Sequence, residues 1–220
     1  MHINWNLYFA RYQRRHGGIY FGSNRERVDC QLVLTENEKA PILACVDTVP
    51  AGKYHTVNII ARTSVYLNGE YHLKLGAANA VIGGVKGLAG MLGGGGDYGY
   101  PEVTKSRAVT TNNKPFTKQV LGDLDFRNAL LAQKKVCVTI WPDPLKDGWH
   151  MVEVEQVNFD GLMADTSDWV TDAMSVETFQ MERGEKEAVD RRAQDDFEQR
   201  MDAFLDLLRV AARAVTTWRM

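Results

Sequence analysis

Cysteine is scarce in this chain. Cys30, Cys45 and Cys137 are an odd set of three in 220 residues, with no CxxC pair. That leaves no basis for a zinc ribbon or a disulfide framework, and it makes a cytoplasmic location with reduced thiols the expectation. Excess charge of one sign is lacking too. Lys and Arg number 26 against 28 Asp and Glu, a net charge of −2, which argues against a dedicated binder of duplex DNA or anionic membranes. Polytopic membrane, collagen-like and fully disordered classes do not fit a composition that is 45% hydrophobic and 25% charged.

Nucleotide and hydrolase signatures are missing as well. There is no P-loop, because Lys86 is followed by Gly87. No glycine fingerprint is followed by an acidic residue about twenty positions on within a βαβ unit. No GxSxG elbow occurs. His2, His16, His55, His72 and His150 share no metal-binding spacing, so neither a cofactor nor a metal is expected. In the first twenty residues, Trp5, Tyr8 and Phe9 precede Arg11, Arg14 and Arg15. An export signal needs the opposite order, and none is read here.

What is present is mostly alternation. A chain of this length can bury roughly 70% of its unfolded surface in one core. Ile3, Trp5, Leu7 and Phe9 alternate with polar residues and Tyr8, the period of a strand. Ile19 to Phe21 reads as a short strand. Asp29 to Thr35 and Ala40 to Val49 read as a hairpin, with Leu32 facing Leu43 and Cys30 facing Cys45, either as buried neighbouring thiols or as a redox pair. Thr56 to Leu67 is β-branched and ends at Asn68-Gly69. That dipeptide suits a two-residue type I′ turn and predicts Tyr66 opposite Tyr71.

Ten of the 19 glycines fall between Gly76 and Gly99. The stretch from Ala77 to Leu92 is small and apolar, with Lys86 its only charge. As a helix it would span about 24 Å, and its four glycines would cost about 4 kcal/mol against alanine. Small residues four apart permit close helix approach, so residues 77–92 are a candidate for membrane contact or self-association, with a surface loop as the plain alternative.

The second half reads as strand (Val103 to Thr111), helical stretch (Phe116 to Gln133, broken at Gly122 with Asp123 as N-cap), strand (Lys135 to Trp141) and strand (Trp149 to Val157). A short helical piece begins near Asp165. From Glu185 onward Val189, Ala193, Phe197, Met201, Phe204, Leu205, Leu208, Ala212 and Val215 recur three or four apart, one wide apolar stripe. Such a helix, about 30 residues long against a usual 11–12, lies across a sheet or reaches a partner. The expected fold is α+β, mainly antiparallel sheet with a long C-terminal amphipathic helix. Residues 1–75 are β-rich, 76–99 a glycine-rich flexible segment, 100–160 a β-α-β-β region and 161–220 helical. One compact unit is expected, with a division near the glycine tract as the alternative.

Four residues are candidates for chemistry: Cys137, His150, Glu153 and His72. Cys137 and His150 suggest a nucleophile and base. A turn centred on Leu145, however, sets His150 opposite Ile140 and Cys137 opposite Glu153, which keeps them apart. Glu153 and Glu155 share a strand face, as paired carboxylates or as a solvated surface. Asp195, Gln199, Asp202 and Asp206 form a polar stripe on the last helix with solvent as the expected partner. Arg11, Arg14, Arg15 and His16, interleaved with aromatics, suit single strands, but the acidic balance makes nucleic acid an unfavoured partner. The leading expectation is a non-enzymatic binding module acting on a protein partner or on itself. The alternative is a small-molecule, hydrolase-like enzyme whose site is assembled from distant residues.

Overall fold

The computed structural model describes residues 5–22, 31–35, 40–51, 54–77, 97–157, 159 and 183–218. Among these residues eight strands form one antiparallel sheet: β1 (Ile19–Phe21), β2 (Gln31–Leu34), β3 (Ile42–Ala51), β4 (Tyr54–Tyr66), β5 (Leu73–Ala77), β6 (Arg107–Thr111), β7 (Val136–Pro142) and β8 (Trp149–Gln156). Their spatial order is β1-β2-β3-β4-β8-β7-β5-β6. Strands from both sides of the glycine-rich stretch therefore interleave. Five helices accompany the described sheet: α1 (Trp5–His16), α2 (Pro101–Ser106), α3 (Lys114–Gly122), α4 (Leu124–Ala132) and α5 (Arg183–Thr217). The fold is α+β, as composition and periodicity imply.

Period-two patterning decides which sheet face the helices cover. Leu32, Leu34, Ile42, Ala44, Ile59, Ala61, Leu73, Leu75, Val138, Ile140, Val152 and Val154 point one way and are buried, in a single core with residues of all five helices. Fully burying each large side chain stabilises by about 1.5–3 kcal/mol. The alternate positions, among them Val33, Leu43, Cys45, Arg62, Cys137, Glu153 and Glu155, are half-buried or exposed on the other face. The stripe on α5 lies across the inward face. Phe197, Met201, Phe204, Leu205, Leu207, Leu208, Ala211, Ala214 and Val215 are all within 1% of complete burial, so the chain's own body covers this helix.

The N-terminal segment corrects the strand reading. Residues 5–16 are helical, with Trp5, Phe9 and Tyr12 buried and Leu7 40% exposed. The period-two pattern was an accident of Trp5, Leu7 and Phe9. The residues that pack recur four and three apart, the helical spacing. α1 ends at Gly17, whose φ of 80° closes a 2.8 Å bond from its amide to the Gln13 carbonyl.

Three strand registers also differ from expectation. β2 and β3 do pair, but Leu32 faces Ala44 and Cys45 faces Gln31. That is one residue off, and it removes the Cys30–Cys45 juxtaposition; Cys30 itself lies outside the described residues. β7 and β8 pair two residues away from expectation, with Cys137 opposite Glu155 and His150 opposite Pro142, because the turn between them is wider than a tight hairpin. Asn68-Gly69 does turn the chain, with Gly69 at φ 94°, but it makes no hairpin. β4 pairs with β8, placing Tyr66 opposite Trp149, and β5 lies two strands further on between β7 and β6.

Val103 to Thr111 divides into α2 and β6, since Pro101 sits in the first turn of a short helix. α3 is capped by Asn113, whose side chain accepts the Phe116 amide at 3.1 Å, and α4 by Asp123, which accepts the Phe126 amide at 2.9 Å. The apolar stretch after Ala77 and the helical piece near Asp165 lie outside the described residues.

Candidate functional site

The four residues singled out from sequence do not form one constellation. Cys137 and Glu153 are on the outward face of β7 and β8, whereas His150 is on the inward face and 1% exposed. His72 ends the β4–β5 crossover at the surface, its Nε2 3.1 Å from Glu70 Oε1. His150 and His72 do come within electrostatic reach of each other, and of Glu70.

Each outward carboxylate has a partner on β4. Arg62 Nε donates to Glu153 Oε2 at 2.6 Å, and Asn58 Nδ2 donates to Glu155 Oε1 at 2.8 Å. These bonds tie neighbouring strands together, a structural use of the pair that sequence reasoning weighed as acid–base chemistry. Cys45 lies on the same face, and burial pushes its thiol up, against the opposing pull of Arg62. A raised thiol is a poor nucleophile at neutral pH.

His150 is held as a hydrogen-bond acceptor. The Tyr71 amide donates to Nε2 at 3.1 Å, so the ring proton must sit on Nδ1. Nδ1 is buried without a hydrogen bond of normal geometry, though the Gly148 carbonyl is near enough to favour a proton there. Burial, with a smaller contribution from His72, lowers the ring's affinity for a second proton.

A cleft of about 430 Å³ opens where β4 ends and the last turns of α5 pass over the sheet. Leu34, Ile42, Val65, Trp149 and Ala212 line it, with Arg209 and Arg213 at its wall. Both arginines have carboxylate partners. Arg209 meets Asp206 at 2.5 Å, and Arg213 meets Asp125 at 2.8 Å and Asp123 at 3.3 Å. Thr63 donates to the Ala40 and Pro41 carbonyls, and Thr216 to those of Ala212 and Arg213. The cleft therefore offers apolar surface beside charges that are already matched. Trp149 forms one side, edge-on to Tyr66 at 6.1 Å and covered by the Lys146 ammonium 3.6 Å from its ring centre.

The acidic stripe of α5 is not simply solvated. Arg15 reaches Glu198 at 2.7 Å and Asp195 at 3.4 Å, and Tyr12 donates to Asp202 at 2.6 Å. The basic end of α1, weighed as a nucleic-acid patch, thus faces carboxylates of its own chain. The buried roles of two residues escaped sequence reasoning. Arg107, 5% exposed, donates to the carbonyls of Leu130, Gln133, Lys134 and Val136. Tyr71 is fully buried and shares a 2.8 Å bond with Thr117, which shares another of 2.8 Å with Thr111. No local pattern marks either one, because their partners come from distant strands and helices.

Among the described residues no group of three His, Cys, Asp or Glu side chains is placed to hold a metal, and no helix is long and apolar enough to cross a membrane. Compared with known proteins, the chain matches no family model, no curated protein and no solved structure.

Proposed function

We propose that this protein is a non-enzymatic binding module that works through apolar contact with a protein partner, a second copy of itself being the first to test. The observation that carries this reading is the make-up of the cleft: apolar walls, with every polar group named above already bonded. Such a surface rewards an inserted hydrophobic side chain and offers no unmatched charge to a polar metabolite. The chain carries a matching group. Leu145, at the tip of the β7–β8 turn, is 93% exposed. Its turn adjoins Trp149 of the cleft wall through Lys146, and a knob beside its own hole suits a two-fold pair in which each copy gives and receives.

Sedimentation velocity over a concentration series tests the reading. The expected result is a wild-type dimer, with Leu145→Asp and the cleft-filling Thr216→Trp both shifted to monomer. A wild type that stays monomeric at every concentration removes self-association, and unchanged dimers in both variants remove this surface. A cytoplasmic address belongs to the same reading, resting on few thiols, of which Cys45 and Cys137 are free.

The hydrolase-like alternative draws support from the nearness of His150, His72 and Glu70. It has less to stand on, because the His150 lone pair already accepts a buried amide and Cys137 lies on the opposite sheet face. Alanine at His150 and at Cys137 in an esterase screen discriminates the two readings. Measurable turnover abolished by either change would favour the enzyme.

A further inference from the structure

The connection from β4 to β5, residues 67–72, passes over the ends of β8 and β7 and is held at few points. The Leu67 amide donates to the Gly148 carbonyl at 2.9 Å. The Tyr71 amide donates to His150 Nε2 at 3.1 Å. Asn112 grips the far end, its Oδ1 accepting the His72 amide at 2.8 Å and its Nδ2 donating to the Glu70 carbonyl at 3.2 Å. Only one of these contacts depends on a group that titrates near neutrality. A neutral imidazole nitrogen accepts, and a protonated one can only donate.

We propose that His150 is an acid-sensitive latch on this crossover: neutral, it holds the Tyr71 amide, and protonated, it forces that amide away so that the crossover opens. The added proton comes from solvent and goes onto Nε2, the atom facing the Tyr71 N–H. Two donors would then meet head-on in a site where His150 is 1% and Tyr71 0% exposed. A buried donor left without an acceptor is unfavourable, and a local segment opens before the sheet does. The charged groups acting on the ring are Glu70, which favours its protonation, and His72, which opposes it. Its strand neighbours Val65 and Pro142 carry no charge. The Tyr71 hydroxyl, bonded to Thr117, anchors the side chain below, so the amide is the part free to respond. This inference does not depend on the binding-module reading.

Hydrogen-exchange NMR on the full chain tests it, from about pH 8 to about pH 5, spanning the ordinary histidine range. After correction for the intrinsic pH dependence of exchange, Tyr71 amide protection is expected to fall by up to about tenfold per pH unit as pH drops from the ordinary histidine value towards the lower midpoint of the folded ring, the window in which opening takes up one proton. Val138 and Val154 amides in the centre of the sheet are expected to keep theirs. His150→Gln supplies a carbonyl acceptor that does not titrate, and it should make Tyr71 protection independent of pH. His72→Asn should leave the fall in place. Constant Tyr71 protection in the wild type, an equal fall at Val138 and Val154, or the same fall in His150→Gln overturns the proposal. Should the glutamine variant not fold, the ring carbon resonances of His150 in the wild type decide the matter. Titration in step with Tyr71 opening supports the latch, and titration without it overturns the latch.

Discussion

The Tyr12 hydroxyl donates to Asp202 Oδ1 at 2.6 Å, across the joint between α1 and α5. The same ring stacks on His16, centroids 4.0 Å apart and planes 9° from parallel. One side chain therefore fastens the first helix to the last on the solvent side of their contact. Tyr12→Phe is expected to destabilise the fold by about 1.5 kcal/mol, the low end for a bond to a charged group, since the Asp202 side chain is 47% exposed. Urea unfolding measures it. A double-mutant cycle with Asp202→Ala, which removes the acceptor, should return most of that energy as coupling.

On the core side of the same joint, Phe197 is met by five rings. Trp5, Tyr8, Phe9, Tyr12 and Phe159 lie with centroids 5.2 to 6.4 Å away. Phe197→Ala should cost about 3–5 kcal/mol and loosen α1 first. The midpoint of urea unfolding gives the total, and amide exchange in α1 shows where the loss falls.

Arg107 acts as a cap built from a distant strand. Its guanidinium gathers carbonyls at the end of α4 and the start of β7, with no carboxylate partner among the described residues, in a site where burial works against its charge. Arg107→Met would leave several of those carbonyls unmatched, at about 1–3 kcal/mol for each one that water fails to reach. Arg107→Lys should recover only part, because an ammonium cannot reproduce the planar fork. Thermal unfolding of both variants gives the comparison, with methionine expected to melt lowest.

Gly148 is positioned where a side chain would meet the Tyr66 ring and a strained backbone. Its φ is 73°, and a Cβ there would stand 2.6 Å from Tyr66 Cε2. Gly148→Ala should destabilise by more than about 1 kcal/mol. Removing the ring in Gly148→Ala/Tyr66→Ala should relieve the clash but leave the backbone strain. Denaturant melts of the single and double variants separate the two costs.

Global stability should carry the imprint of His150. Its folded proton affinity lies below the ordinary value of 6.5, so folding favours the neutral ring. That contribution is fully present above the unfolded value and is lost as pH falls through the folded one. Unfolding free energy of the wild type should decline below about pH 6.5 more steeply than that of His150→Gln. Parallel curves for the two would contradict the assignment.

Much of the fold was legible because periodicity and capping are local. The stripe on α5, the break at Gly122 with Asp123 as cap, and the alternation of β7 and β8 all follow from neighbours in sequence. Trp5, Leu7 and Phe9 misled because a few residues satisfy two periods at once, and only Tyr12, seven positions after Trp5, separates them. Asn68-Gly69 marked a real turn, but a turn does not name the strand that will lie beside β4. β8 takes that place, and β7 stands between it and β5. The candidate site was least legible. The acceptor role of His150, the cleft beside Trp149 and the carbonyls around Arg107 are each made by elements far apart in the chain.

The strand order also has a consequence for how the protein is made. β5 lies between β7 and β6, and β4 takes β8 on its second side, so both wait for partners translated afterwards. A ribosome that has released residues up to Ala77 has delivered β5 with two open edges and β4 with one. Such edges recruit other chains, and pairings this distant in sequence close slowly. The nascent chain is therefore most exposed to misassembly between the synthesis of β5 and that of β8, and shielding by a chaperone matters most in that interval.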